Sequence, residues 1–186
     1  MMQSPFTEQL LTMNEWSRPG SHLRAARAIV LHWYMVPRQT ARQVWTYWES
    51  RRNGGLGYGS AHIIVDDTQT LLAIPLDEMA YHVGAPAYSR FAREYVSAYP
   101  NDATIGIELA HADLSGKPSV AVWERARAAA AYLCAELGVP PNMIVTHWDI
   151  TGMRPQWNGI PDHPWFVREP GELARFRHEV EMEVSV

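Results

Sequence analysis

Two histidines of this sequence share one local setting, in which an apolar run ends at a histidine followed by tryptophan. His32 ends the run in AIVLHW, and His147 ends the run in MIVTHWD. A side chain at the end of a buried strand is held rigidly, which is what a catalytic metal site requires of its ligands. Catalytic zinc takes three protein ligands and keeps a fourth position for water, whose pKa falls to about 7. Both histidines are therefore candidate metal ligands, and a third ligand is needed.

The segment after His147 holds the candidates for the third ligand. Its sequence, DITGMRPQWNGIPDHPWF, is rich in turn formers that can fold back toward a metal. It offers both Asp162 and His163, and spacing alone does not decide between them. The competing interpretation of any single histidine is a packed, hydrogen-bonded core residue. The matching settings of His32 and His147 favour the metal.

Glu108 interrupts the apolar strand pattern in TIGIEL. A carboxylate in such a run must pair, bind an ion or carry a desolvation cost of several kcal/mol. As a general base it would take a proton from an activated water molecule. The alternative is a buried ion pair with one of the arginines, and the sequence leaves both open.

The other histidines divide into one candidate and one residue set aside. His82, in AYHVG, follows small residues at a predicted strand exit, where it can contact a substrate or lie on the surface. His62 begins a predicted strand, and we expect it to donate to a backbone carbonyl. The eight tryptophans and eight tyrosines can line a groove for sugar or peptide, although most such residues belong to the core.

The pattern of apolar runs predicts an α/β fold with a central mixed β-sheet flanked by helices. Strands are predicted at 28–33, 62–65, 71–74, 104–109 and 143–146, with the second and third paired as a hairpin, and helices at 6–16, 41–52, 122–137 and 170–186. Gly138 would close the helix 122–137. Leu173, Phe176 and Val180 have helical spacing in the last segment.

Length and composition indicate one domain. The chain has 186 residues, of which 47% are hydrophobic, enough for one ordinary core. We expect an N-terminal appendage at 1–23, a core at 24–166 and a closing helix at 167–186. The net charge of −4 argues against nucleic acid as a partner, and a single cysteine, Cys134, excludes an internal disulfide. Neither an export signal nor a membrane-spanning run is visible, so we expect no membrane insertion.

These residues lie in segments that resemble the N-acetylmuramoyl-L-alanine amidase type 2 family, which includes phage and prophage endolysins and is related to peptidoglycan-recognition proteins. The matching segments are AIVLHW, GYGSAHIIVDD, IPLDEMAYHVG, NDATIGIEL and VTHWDITG, in the family's order. The resemblance covers roughly residues 24–166. It implies the peptidoglycan-recognition-protein-like fold and hydrolysis of the amide bond between N-acetylmuramic acid and L-alanine.

The resemblance also implies roles for individual residues. It makes His32 and His147 zinc ligands, and it favours Asp162 over His163 at the position where the family usually has cysteine. Glu108 becomes the acid/base group, and His82 belongs to the substrate groove. Where many relatives have a lysine that stabilises the oxyanion, this chain has Met153 followed by Arg154, so Arg154 is the candidate for that charge.

The expected protein is a hydrolase of the bacterial cell wall that needs Zn²⁺ and no organic cofactor. Its expected partner is peptidoglycan or a soluble muropeptide, and we expect a monomer. We expect a phage or prophage endolysin that stays in the cytoplasm until it is released to the wall, with a cytoplasmic recycling amidase as one alternative. A second alternative is a recognition module of the same fold that binds muropeptides without cutting them. An aspartate ligand should hold zinc less tightly than cysteine, so a chelator should remove activity readily.

Overall fold

The computed structural model describes residues 2–153 and 159–185. The strands of this part of the chain are β1 (Thr7–Glu8), β2 (Ala28–Trp33), β3 (Ile63–Val65), β4 (Thr70–Leu72), β5 (Thr104–Leu109) and β6 (Ile144–Thr146). Its α-helices are α1 (Ala41–Ser50), α2 (Val120–Leu137), α3 (His147–Thr151), α4 (Pro164–Arg168) and α5 (Pro170–Val184). The strands form one sheet in the order β1-β4-β3-β5-β2-β6. Only β3 and β4 run antiparallel, as the predicted hairpin, so the prediction of a mixed sheet flanked by helices is confirmed.

Strand β2 carries apolar residues on both faces because helices cover both sides of the sheet. All six residues of β2 are buried. Ile29 and Leu31 join the larger core cluster, whereas Ala28 and Val30 join a smaller cluster on the opposite face. Since side chains alternate along a strand, His32 projects on the face of the smaller cluster.

The register between β2 and β5 places the site residues of both strands side by side. Ala28 lies opposite Thr104, Val30 opposite Gly106, and His32 opposite Glu108. These pairs all belong to one face, because each step along the strand is two residues. The carboxyl ends of parallel strands meet at one edge of the sheet, so His32 and Glu108 are brought to the same place.

Helices α2 and α5 pack together over the larger cluster, and both follow the sequence prediction. Ser119 caps α2 by accepting a hydrogen bond from the Val122 backbone, and Gly138 ends it in a left-handed conformation at φ 67°. The residues of α5 with helical spacing are buried, and Phe176 meets Trp123 edge-on at 5.1 Å between ring centroids. Burial of each such side chain contributes about 1.5–3 kcal/mol.

The helix predicted over 6–16 is wrong, because this segment extends the sheet instead. Thr7 and Glu8 pair in parallel with Leu71 and Leu72 of β4, and Leu11 is fully buried. The edge of β4 offers unpaired backbone groups, and a short isolated helix is only marginally stable in water. Pairing with the edge and burial of Leu11 therefore outweigh the local helical pattern.

Among residues 2–153 and 159–185, no helix has the length and apolar character needed to span a membrane.

Candidate metal centre and cleft

Three of the predicted ligands converge at the end of the central strands. His32 is the residue before the last of β2, and His147 follows β6, the neighbouring strand on that side. Asp162 arrives from the segment before α4. One ligand atom from each of these buried residues lies within 4.8 Å of the other two. This spacing allows the three side chains to hold a single metal ion.

The start of α3 fixes the position of His147. Thr146 is the N-cap residue, and its side chain accepts a hydrogen bond from the Asp149 backbone. The Asp149 side chain accepts in return from the Thr146 backbone at 2.8 Å, which completes a capping box. Gly152 ends the helix in a left-handed conformation at φ 79°. His147 is therefore the first residue of a short helix that is closed at both ends.

Asp162 is the carboxylate of the cluster. Its Oδ2 lies 2.5 Å from Nδ1 of His147 and 3.6 Å from Nδ1 of His32. Burial by itself raises the pKa of Asp162, but the charge and the hydrogen bond of His147 outweigh burial and hold the pKa well below its ordinary value. Its Oδ1 is buried without a hydrogen-bond partner among the described residues. An unsatisfied buried carboxylate oxygen beside two imidazoles fits the two-nitrogen, one-oxygen donor set of a catalytic zinc site.

His163, the alternative third ligand, lies outside this cluster. Its backbone is left-handed at φ 53°, and its ring stacks on Phe166 with 4.2 Å between centroids. The side chain is fully buried, and burial lowers its pKa to about 3. The turn at His163 thus directs Asp162 to the histidines while His163 itself packs beneath α4.

A chain of hydrogen bonds fixes which nitrogen of His32 is free to bind a metal. The Thr104 hydroxyl donates to the Pro100 carbonyl at 2.7 Å, so its oxygen accepts from Nε2–H of His82 at 3.0 Å. Nδ1 of His82 is then unprotonated and accepts from Nε2–H of His32 at 2.9 Å. The lone pair on Nδ1 of His32 consequently points toward Asp162. Such outer partners orient metal-binding histidines.

The surroundings of His82 also explain two residue types in the sequence. The Asn101 side chain accepts hydrogen bonds from the backbones of His82 and Val83 at 3.0 and 2.9 Å. A Cβ atom at Gly106 would lie 2.6 Å from Nδ1 of His82. Only glycine at this position leaves room for the ring. The sequence pattern did not reveal Thr104 or Asn101 as site residues, because both looked like ordinary strand and turn positions.

Replacing Thr104 with valine tests this chain of hydrogen bonds. Thr104→Val keeps the shape of the side chain but removes the nearer of two oxygens that can receive Nε2–H of His82. The Thr104 carbonyl, 3.3 Å from Nε2, is the other, so the orientation of His32 is weakened. We expect metal affinity to fall about 10-fold, in the range found for other outer partners of metal ligands. Competition with a coloured chelator measures the affinity. Thr104→Ser keeps the hydroxyl and should bind as the original protein does, whereas unchanged affinity in the valine variant contradicts the proposed orientation.

Glu108 lies beside the cluster without an ion-pair partner among the described residues. It is half-buried, and its Oε2 is buried without a hydrogen bond. Burial raises the pKa of Glu108 well above its ordinary value, and the negative charge of Asp162 raises it further. No described arginine pairs with it, which disfavours the buried ion pair considered from the sequence. A carboxyl group with a raised pKa next to an open cleft is suited to exchanging protons.

His62 has the structural role expected from the sequence. Its Nδ1 accepts from the Gly106 backbone at 3.1 Å, and its Nε2 therefore donates to the Glu78 carbonyl at 2.9 Å. Burial lowers its pKa to about 4, which keeps the ring neutral. His62 thus supports β5 from behind His82 and does not reach the cleft.

Two arms of an open cleft meet beside the cluster, where both are lined by Tyr81, His82 and His147. The first, named here the arginine arm, has a volume of about 470 Å³ and is lined by residues that include Met35, Val36, Tyr47, Arg51, Glu108 and Asp162. The second, named the tyrosine arm, has a volume of about 530 Å³ and is lined by residues that include Tyr58, Gly84, Tyr88, Tyr99 and Asn101.

His82 faces the cleft and also contacts His32. Arg154, the candidate oxyanion residue, lies outside the described residues.

Comparisons with known proteins agree with this geometry. A family model described as N-acetylmuramoyl-L-alanine amidase matches residues 22–158. A probable N-acetylmuramoyl-L-alanine amidase of Bacillus licheniformis is 31% identical over 169 residues, covering 91% of this chain and 45% of that protein. The amidase BlyA of Bacillus subtilis (strain 168) is 31% identical over 189 residues, covering 98% of this chain and 48% of that protein. The chain therefore spans about half the length of the curated relatives it matches.

A solved structure extends the comparison to the fold. The structure of a mutant endolysin from Bacillus subtilis superimposes with a TM-score of 0.69 at 16% identity, covering 96% of this chain and 99% of that one. At this identity the match concerns the fold alone. The fold class predicted from the sequence is thereby confirmed a second time.

Proposed function

Because the chain belongs to the N-acetylmuramoyl-L-alanine amidase family, we propose that it is a zinc-dependent hydrolase of the amide bond between N-acetylmuramic acid and L-alanine in peptidoglycan. The observation that carries the proposal is the group of His32, His147 and Asp162 with Glu108 beside it at the meeting point of two cleft arms. This combination would provide a metal site, a proton acceptor and room for both halves of a substrate.

The metal ligands would be Nδ1 of His32, a ring nitrogen of His147 and a carboxylate oxygen of Asp162. When bound there, zinc supplies a Lewis acid that polarises a carbonyl group and lowers the pKa of water. The buried carboxylate and the orientation of His32 by His82 support this ligand set. Because two ligands are neutral and one is charged, the site keeps a net positive charge that favours an electron-rich carbonyl oxygen.

Glu108 would carry the proton in both halves of the reaction. Its carboxylate accepts a proton from the attacking water and returns it to the leaving nitrogen of L-alanine. Its position opposite His32 in the neighbouring strand keeps it next to the ligands without its being one of them. The amide nitrogen is a poor leaving group until it is protonated. The residue that takes the proton from water must therefore also reach this nitrogen.

The biological setting that fits best is degradation of the cell wall by an endolysin. The fold is shared with a Bacillus subtilis endolysin, and the family relatives are amidases. Peptidoglycan would then be the partner, and no nucleic acid is expected. A recycling amidase would instead prefer soluble muropeptides, so comparing turnover of intact wall with turnover of soluble fragments separates the two settings.

The direct test combines metal analysis with product analysis. Purified peptidoglycan incubated with the protein should release new L-alanine amino termini, and the active protein should contain about one zinc per chain. Removal of the metal with 1,10-phenanthroline should abolish the release, and added zinc should restore it, because the metal would polarise the scissile carbonyl. Release that continues without metal would contradict the proposal. Binding of the wall by the zinc-loaded protein without any release would identify a recognition module.

A further inference from the structure

Three aromatic side chains from separate segments form consecutive contacts beside the tyrosine arm. Trp16 of the N-terminal segment lies 4.9 Å from Tyr58, and Tyr58 lies 5.1 Å from Tyr81, measured between ring centroids. Tyr81 in turn lines both arms next to His82. Tyr58 is 62% exposed, so burial in the core does not account for its position.

The glycine-rich loop that presents Tyr58 is held in place by backbone hydrogen bonds. Nη1 of Arg51 donates to the carbonyls of Leu56 and Gly57 at 2.6 and 2.7 Å. The Gly59 backbone donates to the Trp16 carbonyl at 3.0 Å. The loop is thus fixed on both sides of Tyr58, and an exposed ring on a fixed loop is suited to binding, because little conformational entropy is lost when a ligand covers it.

The two arms differ in charge. The described lining of the tyrosine arm contains no aspartate, glutamate, lysine or arginine, and four tyrosines contribute to it. The arginine arm contains Arg51 together with Glu108 and Asp162. A substrate cut at the metal must extend in opposite directions from the scissile amide, with its sugar on one side and its peptide on the other.

We propose that the tyrosine arm binds the glycan strand of the substrate, with Tyr58 stacking on a sugar ring. N-acetylated sugars are uncharged once their lactyl group is amide-linked, and they present apolar C–H faces to aromatic rings and hydroxyls to tyrosine oxygens. A stem peptide carries free carboxylates, which the positive charge of Arg51 attracts although Nη1 and Nη2 of Arg51 donate hydrogen bonds within the protein. This inference rests on the proposed amidase function, because it assumes a substrate with these two halves.

Binding of substrate halves, measured without hydrolysis, tests the assignment. The probes are the uncharged β-1,4-linked tetramer of N-acetylglucosamine and the free stem peptide, each titrated by calorimetry. Tyr58→Ala loses one aromatic contact with the sugar. It should therefore bind glycan about 3- to 10-fold more weakly than the original protein. Tyr58→Phe keeps the ring and should retain most of the affinity. Stem-peptide affinity should be the same in all variants.

The matched control is Tyr95→Ala. Tyr95 is also 62% exposed but lies outside both arms, so its replacement should leave glycan binding unchanged. On intact wall, Tyr58→Ala should raise KM by a similar factor, and Tyr58→Phe should reverse most of that increase. A thermal melt of each variant verifies that the exposed substitution leaves the fold intact.

Three results would overturn the inference: no glycan binding by the original protein at millimolar concentration, equal binding by Tyr58→Ala, or a loss confined to the stem peptide. These results differ from a failure of the proposed function. Tyr58-dependent glycan binding without amide cleavage would support the glycan site and contradict the amidase. Amide cleavage without glycan binding would do the reverse.

Discussion

Glu108→Gln should lower the rate of amide release about 10²- to 10⁴-fold while the protein keeps its metal. The range is that expected for loss of a general acid/base group. Glutamine has nearly the same size and polarity as glutamate, but it cannot accept a proton from water at neutral pH. Because Glu108 is outside the His32, His147 and Asp162 cluster, its replacement should leave the ligand set intact. Steady-state kinetics on purified wall and metal analysis of the same sample measure both effects.

The matched control for this variant is Glu136→Gln. Glu136 is an exposed carboxylate of α2, outside both cleft arms, and its replacement should change neither the rate nor the metal content. Two outcomes would count against the role of Glu108. Nearly full activity in Glu108→Gln would show that the proton is carried by another group, and loss of metal would place Glu108 among the ligands.

The strands that carry the site were predictable because their burial is uniform. The runs ending at His32 and His147 are apolar at almost every position, which is typical of parallel strands covered on both faces. Glu108 stood out for the same reason, since a carboxylate within such a run needs an explanation. Local sequence patterns were therefore sufficient for the strands and for singling out His32, His147 and Glu108, three of the four residues that the fold brings together.

The meeting of these residues was not predictable from local patterns, because it depends on strand order and register. β2 lies between β5 and β6, although both follow it by many residues in the chain. The pairing of His32 with Glu108 follows from that order. Hydrogen bonds between strands are much alike whatever the sequence, so strand order is decided by packing over the whole sheet.

The tyrosine arm and the N-terminal strand were missed for related reasons. Tyr58, Tyr81, Tyr88 and Tyr99 come from different segments, and no spacing connects them. Residues 6–16 have a helix-compatible pattern, but the exposed edge of β4 provides a better partner than the segment itself. In both cases the decisive contact is distant in sequence.

The choice of Asp162 over His163 followed from family resemblance and not from spacing. The structure supplies a physical reason, because the left-handed turn at His163 sends the two neighbouring side chains in different directions. Asp162→Ala should reduce zinc affinity by roughly 100-fold or more, beyond the usual effect of losing an outer partner. Activity should fall in proportion to the metal lost.

Thermal stability provides a second measure of the same loss. Zinc that binds only the folded protein raises its melting temperature, and the increase depends on affinity. Zinc should therefore stabilise the original protein strongly and Asp162→Ala weakly. Asp77→Ala removes an exposed carboxylate outside the cluster and should keep the full stabilisation. Equal stabilisation of Asp162→Ala would contradict its role as a ligand.

Asp162→Cys distinguishes a ligand from a purely structural partner of His147. A thiolate is a softer donor than a carboxylate and binds zinc well, so the cysteine variant should recover metal and bind it more tightly than the original protein. A structural hydrogen bond to Nδ1 of His147 would not be recovered, because a thiol is a weak hydrogen-bonding group. Recovery of zinc by cysteine but not by alanine thus supports a metal-binding Asp162, whereas equal loss in both variants contradicts it. The more electron-donating thiolate should also make the metal a weaker Lewis acid, so we expect tighter zinc binding to be accompanied by a lower kcat.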